Sequence, residues 1–170
     1  MQTLAGQGLK TIILREKDLS EEEYGELAAR CMEICRKTGA SLTLHKYFMR
    51  PAAWEQTGSI CVPVFRENAG KIDQHIHVST SIHAPGEAVE AERMGAEFVI
   101  AGHIFQTDCK KGVPPRGLEF LRETVQSVSI PVYAIGGITP YNIGDVLDTG
   151  AAGGCMIVRF HECLLKLLNK

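Results

Sequence analysis

The stretch "AGHIFQTDCKKG", Ala101–Gly112, holds the densest chemistry in the chain. An apolar strand-like run ends at Gly102, His103 follows at once, and Thr107, Asp108, Cys109, Lys110 and Lys111 come close behind. An imidazole ordinarily titrates at pH ~6.5, which suits it to proton transfer near neutrality. Neighbouring ammonium groups suit an anion. Further along, "IGGITP" places Gly136 and Gly137 between an apolar run and a helix-like stretch. Backbone N–H groups at paired glycines can approach a phosphate, and a following helix start would add its positive end. The same pair would equally serve a tight turn needing positive φ. The strand–Gly-Gly–helix context favours the anion reading.

Other candidates also stand just after apolar runs. Arg15 and Lys17 follow "TIIL", His45 and Lys46 follow "SLTL", Ser81 and His83 follow or close "IHVSTS", and Arg159 follows "GGCMIV". Arg159 offers a guanidinium to a phosphate. Recurrence at one end of successive strands points to a shared pocket. His75 and His77 alternate on one strand face, but no carboxylate or third ligand accompanies them, so no metal site is expected.

These residues need an α/β frame. Strand-like runs alternate with amphipathic stretches, which implies a parallel sheet. About seven strands are readable: "TIIL", "SLTL", "ICVPV", "IHVSTS", "EFVIAG", "PVYAIGG" and "GGCMIV". Because the chemistry collects at strand C-terminal ends, a (β/α) barrel is preferred to a doubly wound sheet. In "SEEEYGELAARCMEICRKTG", Ser20 and Glu23 form a capping box, Gly39 closes the helix, and Leu27, Ala28, Cys31, Ile34 and Cys35 share a stripe. "GEAVEAERMG" and "GLEFLRETVQSV" read as helices, the second with Leu118, Leu121 and Val125 inward. "TPYNIGDVLDTG" reads as a helix capped by Thr139 with Pro140 at its first position, "PAAWEQTG" as a short helix, and "HECLLKLLNK" as a closing one.

Bulk properties narrow the class. At 170 residues the chain is expected to be a single domain, 1–170. Net charge is −2 with signs interspersed, which argues against a nucleic-acid partner. No apolar run is long enough for a membrane span, and no leader is evident, so a cytoplasmic protein is expected. Six cysteines occur without a C-x-x-C pair; Cys31 and Cys35 are read as small core residues and Cys109 as a surface thiol.

"GHIFQTDCKKG", then "PRGLEFL", then "IPVYAIGGITPYNIGDVLDTGAAG" resemble the thiamine phosphate synthase family, and within it the TenI-like thiazole tautomerases. The resemblance implies a TIM-type (β/α) barrel acting on a phosphorylated thiazole. It implies His103 as the acid/base of an isomerase that aromatises a thiazole phosphate carboxylate without a cofactor. It implies Arg15, Lys17, Ser81, His83, Lys110, Gly136 and Gly137 as substrate or phosphate ligands. Family members precede the "TIIL" strand with one more βα unit, so the barrel is expected to lack that unit, expose a sheet edge and form a homo-oligomer. The alternatives are the synthase itself, a Mg²⁺-dependent transferase joining pyrimidine pyrophosphate and thiazole phosphate, and a non-catalytic barrel that binds a phosphorylated ligand. The synthases carry aspartates where this chain has His45, Lys46 and "CVPVF", and a small pair where it has Val158 and Arg159.

Overall fold

Seven parallel strands lie side by side in sequence order in a computed structural model that describes residues 11–16, 18–44, 58–61 and 77–156. They are β1 (Thr11–Leu14), β2 (Ser41–Leu44), β3 (Gly58–Cys61), β4 (His77–Ile82), β5 (Phe98–Gly102), β6 (Val132–Ile135) and β7 (Gly153–Cys155). Every neighbouring pair is parallel, so all C-terminal ends lie on one side. The helices are α1 (Glu21–Thr38), α2 (Pro85–Arg93), α3 (Gly117–Ser127) and α4 (Ile143–Leu147). The expected α/β architecture with a parallel sheet is present. Among the described residues β1 and β7 do not pair.

Alternation along the strands sorts the sheet into two faces. Val78 and Ile82, Val99 and Ala101, and Val132 and Ala134 pack with Ala88 and Ala91 of α2, Leu121 of α3 and Val146 of α4. Burying each Val, Leu or Ile there contributes about 1.5–3 kcal/mol. The intervening positions, including Ser79, Ser81, Ile100 and Gly102, belong to the other face. Ser79 and Ile100 are buried although the helices cover the opposite side.

At α1 the capping box forms as the sequence implies: Ser20 Oγ accepts from the Glu23 N–H at 3.4 Å, and Glu23 Oε2 accepts from the Ser20 N–H at 2.9 Å. Hydrogen bonds from Ser20 hold the Glu23 carboxyl below its usual range. Gly39 closes the helix at φ 73°. Tyr24 and Met32 join Ala28, Cys31 and Cys35 in the buried stripe, while Leu27 and Ile34 pack at its margin or remain half-buried. The Tyr24 hydroxyl donates to the Leu14 carbonyl at 2.9 Å, which ties α1 to the end of β1.

Cys31 and Cys35 are core residues, as their spacing suggests. Burial pushes the Cys31 thiol up to about 11. At pH 8 only about one Cys31 in a thousand is then thiolate, the form that reacts. Iodoacetamide should therefore label exposed Cys109 rapidly and leave Cys31 and Cys35 unmodified until denaturant is added. Peptide mass spectrometry before and after denaturation checks this, and early labelling of Cys31 would contradict the packing.

Two expected elements differ. "ICVPV" enters the sheet earlier than expected, at Gly58, and its residues 62–64 lie outside the described set. The helix read from Thr139 begins only at Ile143. The Asn142 side chain accepts from the Thr139 N–H at 2.8 Å and donates to the Gly137 carbonyl at 2.9 Å, which shapes residues 137–142 as a turn. "PAAWEQTG" and "HECLLKLLNK" lie outside the described residues. Among the described residues no helix is long and apolar enough to cross a membrane.

Candidate functional site

The chain leaving β5 runs alongside the chain leaving β6 past the end of the sheet. Ile104 N–H donates to the Ile135 carbonyl at 2.9 Å, and Phe105 N–H to the Gly136 carbonyl at 3.0 Å. Ile104 is fully buried and anchors this crossing. The loop then turns outward and returns to α3. Arg116 N–H donates to the His103 carbonyl at 2.9 Å, and Gly117 N–H to the Ile104 carbonyl at 3.1 Å. Residues 103–117 are thus stitched shut at their base.

His103 sits inside that stitch. It is 8% exposed, and its Nε2 lies 3.3 Å from the Val113 carbonyl. A carbonyl only accepts, so Nε2 carries the hydrogen in this contact. The imidazole ties the far limb of the loop to the end of β5.

The two glycines fit this crossing. Gly136 has φ 97°, and a Cβ there would run into the Cβ of His103. Gly137 has φ 67°, and a Cβ there would stand 2.6 Å from the Gln106 carbonyl oxygen. Close approach of two backbones is one reason for the pair. The other is a pocket of about 360 Å³ lined by Thr107, Asp108, Cys109, Gly136, Gly137, Ile138 and Cys155. Among the described residues the N–H groups of Gly137 and Ile138 donate to no carbonyl or side chain. They supply donors for an anion. The expected contribution of a helix start is corrected: α4 begins beyond the turn and has five residues, so its dipole does not serve the pocket.

Of the other expected residues, Ser81 is half-buried on β4, and exposed His83 follows that strand with its Nδ1 2.8 Å from the Gly102 carbonyl. Lys110 ends a short 3₁₀ turn, Asp108–Lys110, whose start Thr107 caps through the Cys109 N–H at 3.4 Å; Lys110 is exposed and does not line the pocket. Arg15 is exposed at the end of β1 on the same side of the sheet. Lys17, His45, Lys46, His75, Val158 and Arg159 lie outside the described residues. The sequence reading passed over Arg116, whose Nε donates to the same Gly102 carbonyl at 3.1 Å.

The model of a family described as thiamine monophosphate synthase matches residues 1–160. The chain belongs to that family. The thiamine-phosphate synthase of Syntrophomonas wolfei is 34% identical, over 88% of this chain and 74% of its own length. That of Pyrococcus horikoshii is 35% identical, over 89% and 74%. A solved thiamine phosphate pyrophosphorylase from Pyrococcus furiosus superposes with a TM-score of 0.78 at 31% identity, covering 92% of this chain and 76% of that one.

These relatives correct the expected reaction. Proteins alike over most of their length are named as synthases, so the isomerase reading built on the Gly102–His103 stretch gives way to the transferase alternative. A short motif carried the isomerase reading, whereas the synthase likeness spans β1 to β7. The family match does not single out the tautomerase branch. The proton-transfer role expected of His103 belonged to that isomerisation.

Proposed function

We propose that the protein is a thiamine-phosphate synthase, a transferase that joins a pyrimidine pyrophosphate and a thiazole phosphate with pyrophosphate as leaving group. The observation that carries the reading is the pocket at Gly136–Gly137 in a chain alike to synthases over most of its length. The N–H groups of Gly137 and Ile138 hold the thiazole phosphate there, and the Thr107–Cys109 turn forms the facing wall. Arg15, Ser81 and Lys110 stand on the same side of the sheet, from which cations and a hydroxyl reach a substrate in the sheet mouth. Lys17 and Arg159 belong to the same reading by position in the sequence.

Magnesium is implied by this reading. Among the described residues no group of three His, Cys, Asp or Glu side chains is placed to hold a metal ion, and Asp108 is the carboxylate lining the pocket. What the described residues do is bind and orient two anionic halves, which lowers the barrier by proximity.

Incubating the protein with both phosphorylated halves, with and without Mg²⁺, should yield thiamine phosphate, measured by oxidation to fluorescent thiochrome. Absence of product under both conditions, with thiazole phosphate binding intact, would overturn the transferase and leave a binding protein.

A further inference from the structure

Two cysteines, Cys109 and Cys155, line the Gly136–Gly137 pocket. Holding an anion calls for N–H donors and cations, and a thiol is only a weak donor. Cys109 is exposed, Cys155 is half-buried, and both are reduced thiols. They differ from Cys31 and Cys35, which share one face of α1 but are sealed in the core, where burial pushes both thiols up.

Topology sets the pocket pair on either side of the glycine turn. In the sheet β6 lies between β5 and β7, and Gly102, Ile135 and Cys155 are in register across the three strand ends. Cys109 arrives by the loop from β5, which crosses onto β6 through the backbone bonds of Ile104 and Phe105. A Cβ on Gly137 would stand 2.6 Å from the Gln106 carbonyl oxygen, so by Gln106 the loop is already over the β6 turn. The next strand across is β7, with Cys155 at its end. Adjacent strands are about 4.8 Å apart, and a disulfide spans Cα separations of about 4.4–6.8 Å. One strand spacing is therefore a step that a disulfide bridges. The loop tip is free to take it. Among the described residues the hydrogen bonds of Thr107–Gly112 are local: Cys109 N–H to Thr107 Oγ1 at 3.4 Å, Lys110 N–H to the Thr107 carbonyl at 3.1 Å, and Val113 N–H to the Lys110 carbonyl at 3.2 Å. Among those residues none ties the tip to β6 or β7.

We infer that Cys109 and Cys155 are a dithiol switch, which a peroxide converts to a disulfide that closes the pocket and shuts out phosphate. That phosphate is the ligand excluded rests on the anion reading of this pocket. The exposed Cys109 sulfur attacks a peroxide oxygen, the O–O bond breaks, one water leaves, and Cys109 becomes a sulfenic acid. The Cys155 sulfur then attacks the Cys109 sulfur, the S–O bond breaks, and a second water leaves as the S–S bond forms. Two thiols give up two electrons and two protons, and one hydrogen peroxide becomes two waters. A phosphate on the Gly137 and Ile138 N–H groups stands between the two sulfurs, so occupancy and the bridge oppose each other.

Hydrogen peroxide treatment, followed by peptide mass spectrometry without reductant and by calorimetric titration of inorganic phosphate, tests the switch. Wild type should yield the Cys109 and Cys155 peptides joined with the loss of two hydrogens. Bridged protein should bind phosphate about tenfold or more weakly than reduced protein, and dithiothreitol should restore binding. Phosphate at about ten times its Kd should slow the bridge about tenfold, since only about one molecule in eleven is then unliganded. Cys155→Ser should stop at the sulfenic acid, trapped on Cys109 with dimedone, and the phosphate affinity of Cys109→Ser should be the same before and after peroxide. No bridge in wild type, pairing of either thiol with another cysteine, unchanged phosphate affinity in bridged protein, or no phosphate binding by reduced protein would each overturn the proposal. Bridge-dependent loss of phosphate binding in a protein that makes no thiamine phosphate would uphold the switch and remove the transferase reading. Thiamine phosphate made with the same KM by bridged and reduced protein would do the reverse.

Discussion

Gly136→Ala should lower unfolding free energy by about 3–5 kcal/mol and abolish phosphate binding, the sum of a strained backbone and an overpacked contact. The residue sits at φ 97°, where an L side chain is disfavoured. The added methyl would also meet backbone, not a side-chain tip: the His103 Cα lies 2.8 Å away and the Ile104 nitrogen 3.4 Å away. Neither can swing aside without breaking the crossing, because Phe105 N–H is bonded to the Gly136 carbonyl itself. Urea unfolding followed by circular dichroism, with phosphate titration on the same samples, gives both quantities. Gly25→Ala provides the contrast: Gly25 is inside α1 with nothing within 4 Å of the new methyl, so it should be stabilising by about 0.5–1 kcal/mol. Equal midpoints for the two variants would mean that the loops do not cross as described.

The sequence made the scaffold readable where the signal is local. Apolar runs marked the seven strands because both faces of a parallel sheet are covered, and Ser20 with Glu23 marked the start of α1 because a capping box is complete within four residues. Signals that depend on distant partners were not readable. Thr139 and Pro140 resemble a helix start, yet the Asn142 carboxamide bonds Thr139 and Gly137 and delays α4. Tyr24 was missed as a core residue because its hydroxyl is satisfied at Leu14, ten residues away on another element. Arg116 looked like an ordinary loop arginine; its partner, Gly102, is fourteen residues back. The glycine pair was readable as a loop by residue type, but its closeness to His103 was not. Function follows the same division. His103 could be noticed from composition, and its chemistry was then inferred from its neighbours in the chain rather than from the carbonyl its ring holds.

That carbonyl decides what replacing His103 should do. His103→Ala removes a buried ring and its tie to Val113, which together are worth about 1–3 kcal/mol of stability. Val113 itself is 47% exposed, so its released carbonyl can meet water, which keeps the cost from rising further. The larger consequence falls on the loop. Without the ring, residues 105–113 are held at their base by the backbone bonds of Ile104, Phe105, Arg116 and Gly117 and by the Arg116 side chain on the Gly102 carbonyl. The Thr107–Cys109 wall of the pocket should then drift, raising KM for the thiazole phosphate by about tenfold or more, the value of a well-placed contact. Amide hydrogen exchange should quicken at 105–113 and stay unchanged in α1. His103→Gln separates this account from proton transfer. A glutamine amide can donate to the Val113 carbonyl but cannot act as an acid or base at neutral pH, so it should restore most of the affinity, slow the exchange again and leave kcat near that of wild type. A glutamine variant with normal exchange and normal KM but a kcat reduced by about 10²-fold or more would show that the imidazole moves a proton after all.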